Sequence, residues 1–151
     1  MVAVTTGGPK ATSSREGMAQ SEATSPYYDA WVETHATDLD AGLSAVRARD
    51  FAALAELAEH NCLKMHAVMM TTRPPLLYWV PGTLACLHRI QELRRSGVPV
   101  FFTVDAGPQV KAVCLPAAVE VVAAALRAVP GVLQILRSSL GEGARLRGSP
   151  D

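Results

Sequence analysis

Two β-rich runs, VPVFFTV at 98 to 104 and QVKAVC at 109 to 114, are separated by only Asp105-Ala106-Gly107-Pro108. A connection that short permits a hairpin and leaves no room for a crossover, so the two runs are expected to form an antiparallel pair. Asp105 then sits at the turn, outside the ladder.

Helical and extended signals fill in around that hairpin. VAVTT at 2 to 6 reads as a strand running into the turn signal Gly7-Gly8-Pro9. Ser13-x-x-Glu16 is a capping-box pattern and predicts a helix over 14 to 22, with Ser14 and Arg15 in its first turn. Ser25-Pro26 predicts a second start, and Trp31, Leu39, Leu43 and Val46 form a broken apolar stripe to residue 48, with Thr37-Asp38 as a possible second cap midway. Asp50 caps a helix to residue 71, in which Phe51, Leu54, Cys62, Met65 and Met69 keep a helical period. Pro74-Pro75 stop it, LLYWV forms an extended or loop passage, and Leu84, Leu87, Ile90 and Leu93 predict a helix over 82 to 96. Pro116 opens a last helix, and VLQILR after Pro130-Gly131 is a closing strand before a polar tail at 141 to 151. Four strands and several helices predict an α+β fold, with helices on one face of a mostly antiparallel four-stranded sheet, a ferredoxin-like elaboration.

At 151 residues the chain is the size of one domain with a full hydrophobic core. Its 14 basic and 14 acidic residues cancel, which gives no electrostatic footprint for nucleic acid or an anionic membrane. The richest apolar run, 112 to 126, is broken by Pro116 and Glu120 and falls short of a membrane span. The first residues lack the basic and apolar regions of a secretory signal, and three cysteines are odd in number and widely spaced, so a reducing cytoplasm is the expected home.

Two segments carry residues that a core does not need. In SSREGM, at 13 to 18, a hydroxyl, a guanidinium and the open N–H groups of a helix start converge, as a phosphate or diphosphate requires. A capped surface helix would look the same. In FTVDAGPQVK, at 102 to 111, a stiff Gly-Pro turn follows a carboxylate able to orient a hydroxyl, although aspartate is also an ordinary turn residue.

Taken together, GPKATSSREGM, ATSPYYDAW, RARDF, NCLKMHAVMMTTRPPLLY and VFFTVDAGPQVK resemble, in order and spacing, the C-terminal half of diphosphomevalonate decarboxylase, of the GHMP small-molecule kinase superfamily. The resemblance runs from residue 2 to 140. It implies a GHMP-kinase C-terminal domain over 1 to 140 and the ATP-dependent, Mg2+-assisted decarboxylation of (R)-5-diphosphomevalonate to isopentenyl diphosphate. In that reaction the tertiary C3 hydroxyl is phosphorylated, then phosphate and carbon dioxide leave. By resemblance Asp105 is the catalytic aspartate, Ser14 and Arg15 hold the diphosphate, and Met18 lies near the methyl-bearing carbon. A related mevalonate kinase or phosphomevalonate decarboxylase domain, or a non-catalytic interaction or dimerisation module, are the alternatives. Homodimers are common in the family.

The chain departs from the family pattern at Gln109, where Asn is usual, and at Val68, where Thr is usual. The family's N-terminal half supplies a Gly/Ser-rich nucleotide-phosphate loop, and no Pro-x-x-x-Gly-Leu-x-Ser-Ser segment occurs here. The expectation is a chain without its nucleotide-binding domain, inactive alone. His35, His60, His66 and His88 show no paired metal spacing, so no metal ligand is assigned. Met65, Met69 and Met70 are expected as core filler and Cys62, Cys86 and Cys114 as buried thiols. Tyr27, Tyr28 and Trp31 are either a docking surface or ordinary packing.

Overall fold

A computed structural model describes residues 1–8 and 12–143. Pro9 of the predicted turn and the tail from residue 144 lie outside the described residues. Strands β1 (Val2–Val4), β2 (Val100–Thr103), β3 (Val110–Cys114) and β4 (Gln134–Leu136) form one sheet in the order β2-β3-β1-β4. Every neighbouring pair is antiparallel. Helices α1 (Ser14–Thr24), α2 (Tyr28–Ala48), α3 (Phe51–Met70), α4 (Pro81–Arg95) and α5 (Val119–Arg127) complete the α+β architecture.

The core forms where α4 and α5 meet the sheet. Cys86, Leu87 and Ile90 of α4 and Val122 and Leu126 of α5 pack with Val100, Phe102, Val110 and Ala112 of the β2-β3 hairpin. The period-2 alternation of β2 does not leave a solvated face, because Phe101, on the other side, is also buried and meets the Phe51 ring of α3 at 5.4 Å.

β2 is the first strand of the sheet, and its outer edge is covered by α3. The Phe102 N–H donates to Glu59 Oε1 at 3.2 Å, and the Val104 N–H lies 3.2 Å from Cys62 Sγ. His66 Nε2 lies 3.1 Å from the Val104 carbonyl oxygen. Glu59, Cys62 and His66 are spaced three and four residues apart, so one helix face delivers all three to the strand. An open ladder is thereby satisfied internally.

Several predicted boundaries move for local reasons. Asp50 caps α3 through the Ala53 N–H at 3.0 Å, as its position predicts. Ser25 and Pro26 do not open α2, which starts at Tyr28. Ser25 ends α1 instead, and its hydroxyl pairs with Thr71 Oγ1 at 2.8 Å. No second cap interrupts α2 at Thr37-Asp38: the Asp38 carboxylate accepts from Asn61 Nδ2 at 2.7 Å and pairs with Lys64, fastening α2 to α3. The stripe Leu39, Leu43 and Val46 remains exposed and, with Leu54, Leu57 and Met65 of α3, lines an open groove of about 510 Å³ ending at Asp105. Pro116 opens a short 3-10 turn ahead of α5. Cys62 and Cys86 are buried as expected, whereas Cys114 is half-exposed; Met69 is buried and Met65 and Met70 only partly so.

Candidate functional site

The hairpin turn that carries Asp105 is held from both sides. Before it, Val104 has its N–H and its carbonyl engaged by Cys62 and His66 of α3. After it, the Pro108 carbonyl accepts from Thr83 Oγ1 at 2.7 Å and from Thr5 Oγ1 at 3.1 Å. Gly107, at φ +94°, supplies a conformation that a Cβ would strain. Between these anchors the Asp105 side chain stands 80% exposed, with Lys111 of β3 as its ion-pair partner.

Gln109 explains why β1 is shorter than the sequence predicts. Its Oε1 accepts from the Thr5 N–H at 2.6 Å and its Nε2 donates to the Thr6 carbonyl at 2.7 Å. A side-chain amide thus continues the ladder where a backbone partner would otherwise stand. The departure at 109 ties the end of β1 to the base of the aspartate turn.

The N-terminus of α1 carries the other predicted site residues, Ser14, Arg15 and Met18. Ser13 caps it: the Glu16 N–H donates to Ser13 Oγ at 3.2 Å, and the Ser13 N–H donates to the Glu16 carboxylate at 3.2 Å. The predicted capping box is present, and the helix runs two residues beyond 22. Ser14 and Arg15 are exposed in the first turn, and Met18 is partly exposed one turn on. The helix is fixed to the end of α3 by Ser21 and Thr72 hydroxyls 2.8 Å apart and by the Arg73 N–H, which donates to Thr24 Oγ1 at 2.9 Å.

Tyr78 and Trp79 join the Asp105 turn and the start of α1. Trp79 Nε1 lies 3.2 Å from His66 Nε2, with the rings 4.5 Å apart. With its proton on Nδ1, the imidazole accepts from Trp79; with the proton on Nε2 it donates to Val104. Burial holds the His66 pKa below its ordinary value, against the opposing effect of its backbone hydrogen bonds at Val104 and Asp105, which favours the uncharged ring. The Tyr78 Cβ lies 3.5 Å from where a Cβ on Gly107 would be, and its hydroxyl lies 2.5 Å from where one on Gly17 would be. That hydroxyl is 3.5 Å from the Ser13 carbonyl oxygen. One tyrosine side chain therefore separates the aspartate turn from the capped start of α1.

Over residues 1–141 the chain matches the family described as mevalonate 5-diphosphate decarboxylase C-terminal domain. It belongs to that family. A diphosphomevalonate decarboxylase of Ganoderma lucidum is 31% identical over 115 residues, 72% of this chain and 29% of that protein. A phosphomevalonate decarboxylase of Haloferax volcanii is 42% identical over 62 residues, 40% of this chain and 19% of that protein. A solved structure described as MDDEF in complex with MVAPP, AMPPCP and magnesium superimposes with a TM-score of 0.78 at 34% identity, covering 83% of this chain and 38% of that one. The chain thus spans less than a third of the length of either curated relative.

Among the described residues there is no group of three or more His, Cys, Asp or Glu side chains able to hold a metal. Asp105 is a single carboxylate with a lysine beside it, a donor set that does not fit a resident magnesium. No helix among the described residues is long and apolar enough to cross a membrane. Reasoning from residues singled out Gln109 but missed Tyr78, Trp79 and Thr83 as supports of the Asp105 turn. Aromatics directly after Pro74-Pro75, in a segment without helical period, were the available signal for the first two.

Proposed function

We propose that this chain is the substrate-orienting domain of an ATP-dependent decarboxylase acting on (R)-5-diphosphomevalonate. In this reading Ser14, Arg15 and the first-turn N–H groups of α1 take the diphosphate, through donors, dipole and guanidinium together. Asp105 faces the C3 hydroxyl. A tertiary alcohol is a poor nucleophile, and a carboxylate within hydrogen-bond reach directs its lone pair at phosphorus and takes its proton. Met18 packs near the methyl-bearing carbon. ATP supplies the phosphoryl group that makes the C3 oxygen a leaving group, and Mg2+ arrives with the nucleotide phosphates on another part of the enzyme. The natural setting is the cytoplasm, and turnover requires a nucleotide-binding partner domain; the 151 residues alone bind substrate without decarboxylating it.

The observation that carries this reading is the exposed carboxylate on a turn stapled at Val104 and Pro108, one tyrosine away from the capped start of α1. Coupled detection of ADP and carbon dioxide, for this chain alone and joined to a nucleotide-binding half, tests it. Turnover by the joined protein and none by the chain is expected. Turnover by the chain alone, or none by either, would overturn it.

The Haloferax volcanii relative favours a second reading, in which 5-phosphomevalonate is the substrate. The same assay with both substrates separates them. Retention of an arginine at position 15 fits the diphosphate, since a forked guanidinium matches two or more phosphate oxygens.

A further inference from the structure

We propose that Tyr78 is a positioning residue for this reaction: a strut that sets the distance between the α1 N-terminus and the Asp105 turn, and so the length of substrate that can touch both. The inference rests on the proposed function, in which those two places receive the diphosphate and the C3 hydroxyl.

The strut is fixed at both ends. At the turn end, the Cβ of Tyr78 lies against Gly107, and the next residue, Trp79, is held on His66, which also faces the Val104 carbonyl. At the helix end, the hydroxyl reaches Gly17 and the Ser13 carbonyl, inside the capped first turn. Gly17 is buried, and a Cβ there would also come within 3.1 Å of Leu76 Cδ1, so the helix is seated directly on the segment 76 to 78. Glycines at 17 and 107 are therefore the two places where the tyrosine is allowed to touch backbone. Neither glycine is required by a core, and no disulfide or ion pair among the described residues spans the same gap.

A substrate held at both ends binds through two anchors whose spacing must match its own. A ligand with only the diphosphate uses one anchor. The spacing is thus read by comparing the two ligands on the same protein, which separates positioning from a general loss of structure.

The test is calorimetric titration of the 151-residue chain with (R)-5-diphosphomevalonate and with inorganic diphosphate. Wild type should bind the former more tightly, by about tenfold or more, the order expected when a second, correctly placed contact is available. Tyr78→Ala should erase that advantage and leave inorganic diphosphate within about threefold of wild type, a change of under 1 kcal/mol. Tyr78→Phe, which keeps the ring, should retain most of it. Gly17→Ala forces a methyl against the hydroxyl and should erase it too, and the double variant Gly17→Ala with Tyr78→Phe should regain it, because the 2.5 Å conflict is gone and the remaining close atom, Leu76 Cδ1 at 3.1 Å, is the end of a flexible side chain.

A wild-type advantage that survives Tyr78→Ala would overturn the proposal while leaving the proposed function intact. Equal loss of both ligands in Tyr78→Ala, or no regain in the double variant, would reduce Tyr78 to ordinary packing and also overturn it. Failure of the wild-type chain to bind either ligand would instead bring down the substrate assignment, and the strut with it.

Discussion

Replacing Glu59 by alanine should destabilise the domain by about 1–3 kcal/mol, although the residue is far from any chemistry. Glu59 is 8% exposed at its side chain, accepts from the Phe102 N–H, and pairs with Arg94 at 2.9 Å. Alanine leaves that N–H, on a residue only 1% exposed, without an acceptor, which by itself costs about 1–3 kcal/mol. Arg94 is 41% exposed and returns to water cheaply, so the lost ion pair adds little. Some of the penalty is offset, because burial raises the Glu59 pKa above its ordinary 4.5, beyond what the Phe102 N–H and Arg94 recover, so the carboxylate is itself strained by desolvation. Glutamine keeps a carbonyl acceptor for Phe102 and removes the buried charge, and should stay within about 1 kcal/mol of wild type. Urea unfolding followed by circular dichroism gives both numbers from the midpoints, provided the slope is unchanged. The pH dependence has a definite sign. A folded pKa raised above the unfolded one contributes stability that is complete below about 4.5 and is lost as pH rises through the folded value. The glutamine variant should therefore gain on wild type as pH rises through that window. An alanine variant within about 0.5 kcal/mol of wild type, or a glutamine variant as damaged as alanine, would refute the view that α3 stabilises the sheet by satisfying its edge.

Other expectations follow from the same geometry. His66 has its folded pKa lowered by burial below the ordinary 6.5, so its contribution is present above that value and lost as pH falls; melting temperatures at pH 7.5 and 5.5 should drop more for wild type than for His66→Gln. On the proposed function, Asp105→Asn should abolish decarboxylation by the protein joined to a nucleotide-binding half while leaving the melting temperature unchanged, since the side chain is 80% exposed; on the same proposal Arg15→Ala should raise the Kd for diphosphomevalonate, because the proposed diphosphate contact would exist before and during the reaction. Gly107→Ala should cost about 1–3 kcal/mol in urea unfolding, from strain at φ +94° rather than from collision, the nearest side-chain atoms being 3.4 Å away. In timed thiol labelling Cys114 should react first. Cys86 should react last, its pKa pushed up to about 11 by burial.

The parts of this protein that were legible in its sequence are those governed by neighbours along the chain. A capping box depends on residues three apart, and Ser13 with Glu16 forms the predicted one. A four-residue connection between β-rich runs leaves only a hairpin, so β2, β3 and the exposed place of Asp105 could be read directly. Helices α3 and α4 start and stop within a residue of their expected ends because Asp50, Pro74 and Pro81 act locally. The apolar stripe of α2 was also correctly seen, but its periodicity says only that one face is apolar, not what covers it. Leu39, Leu43 and Val46 proved to line a groove.

What the sequence alone determined, then, was the element order, the α+β class and the two segments that carry residues a core does not need. The tertiary structure decided how those segments are held together. The Ser25 hydroxyl could cap α2 or pair with Thr71, and only the approach of α3 to α1 selects the second. Gln109 could be a turn substitution or a ladder partner, and only the arrival of β1, more than 100 positions earlier in the chain, gives its amide the Thr5 and Thr6 backbone to bind. The two glycines that Tyr78 touches lie far from it in sequence, so no local pattern marks that contact. Local patterns carry backbone preference and burial, whereas the spacing between two ends of a site is set by side chains that meet only after the chain has closed.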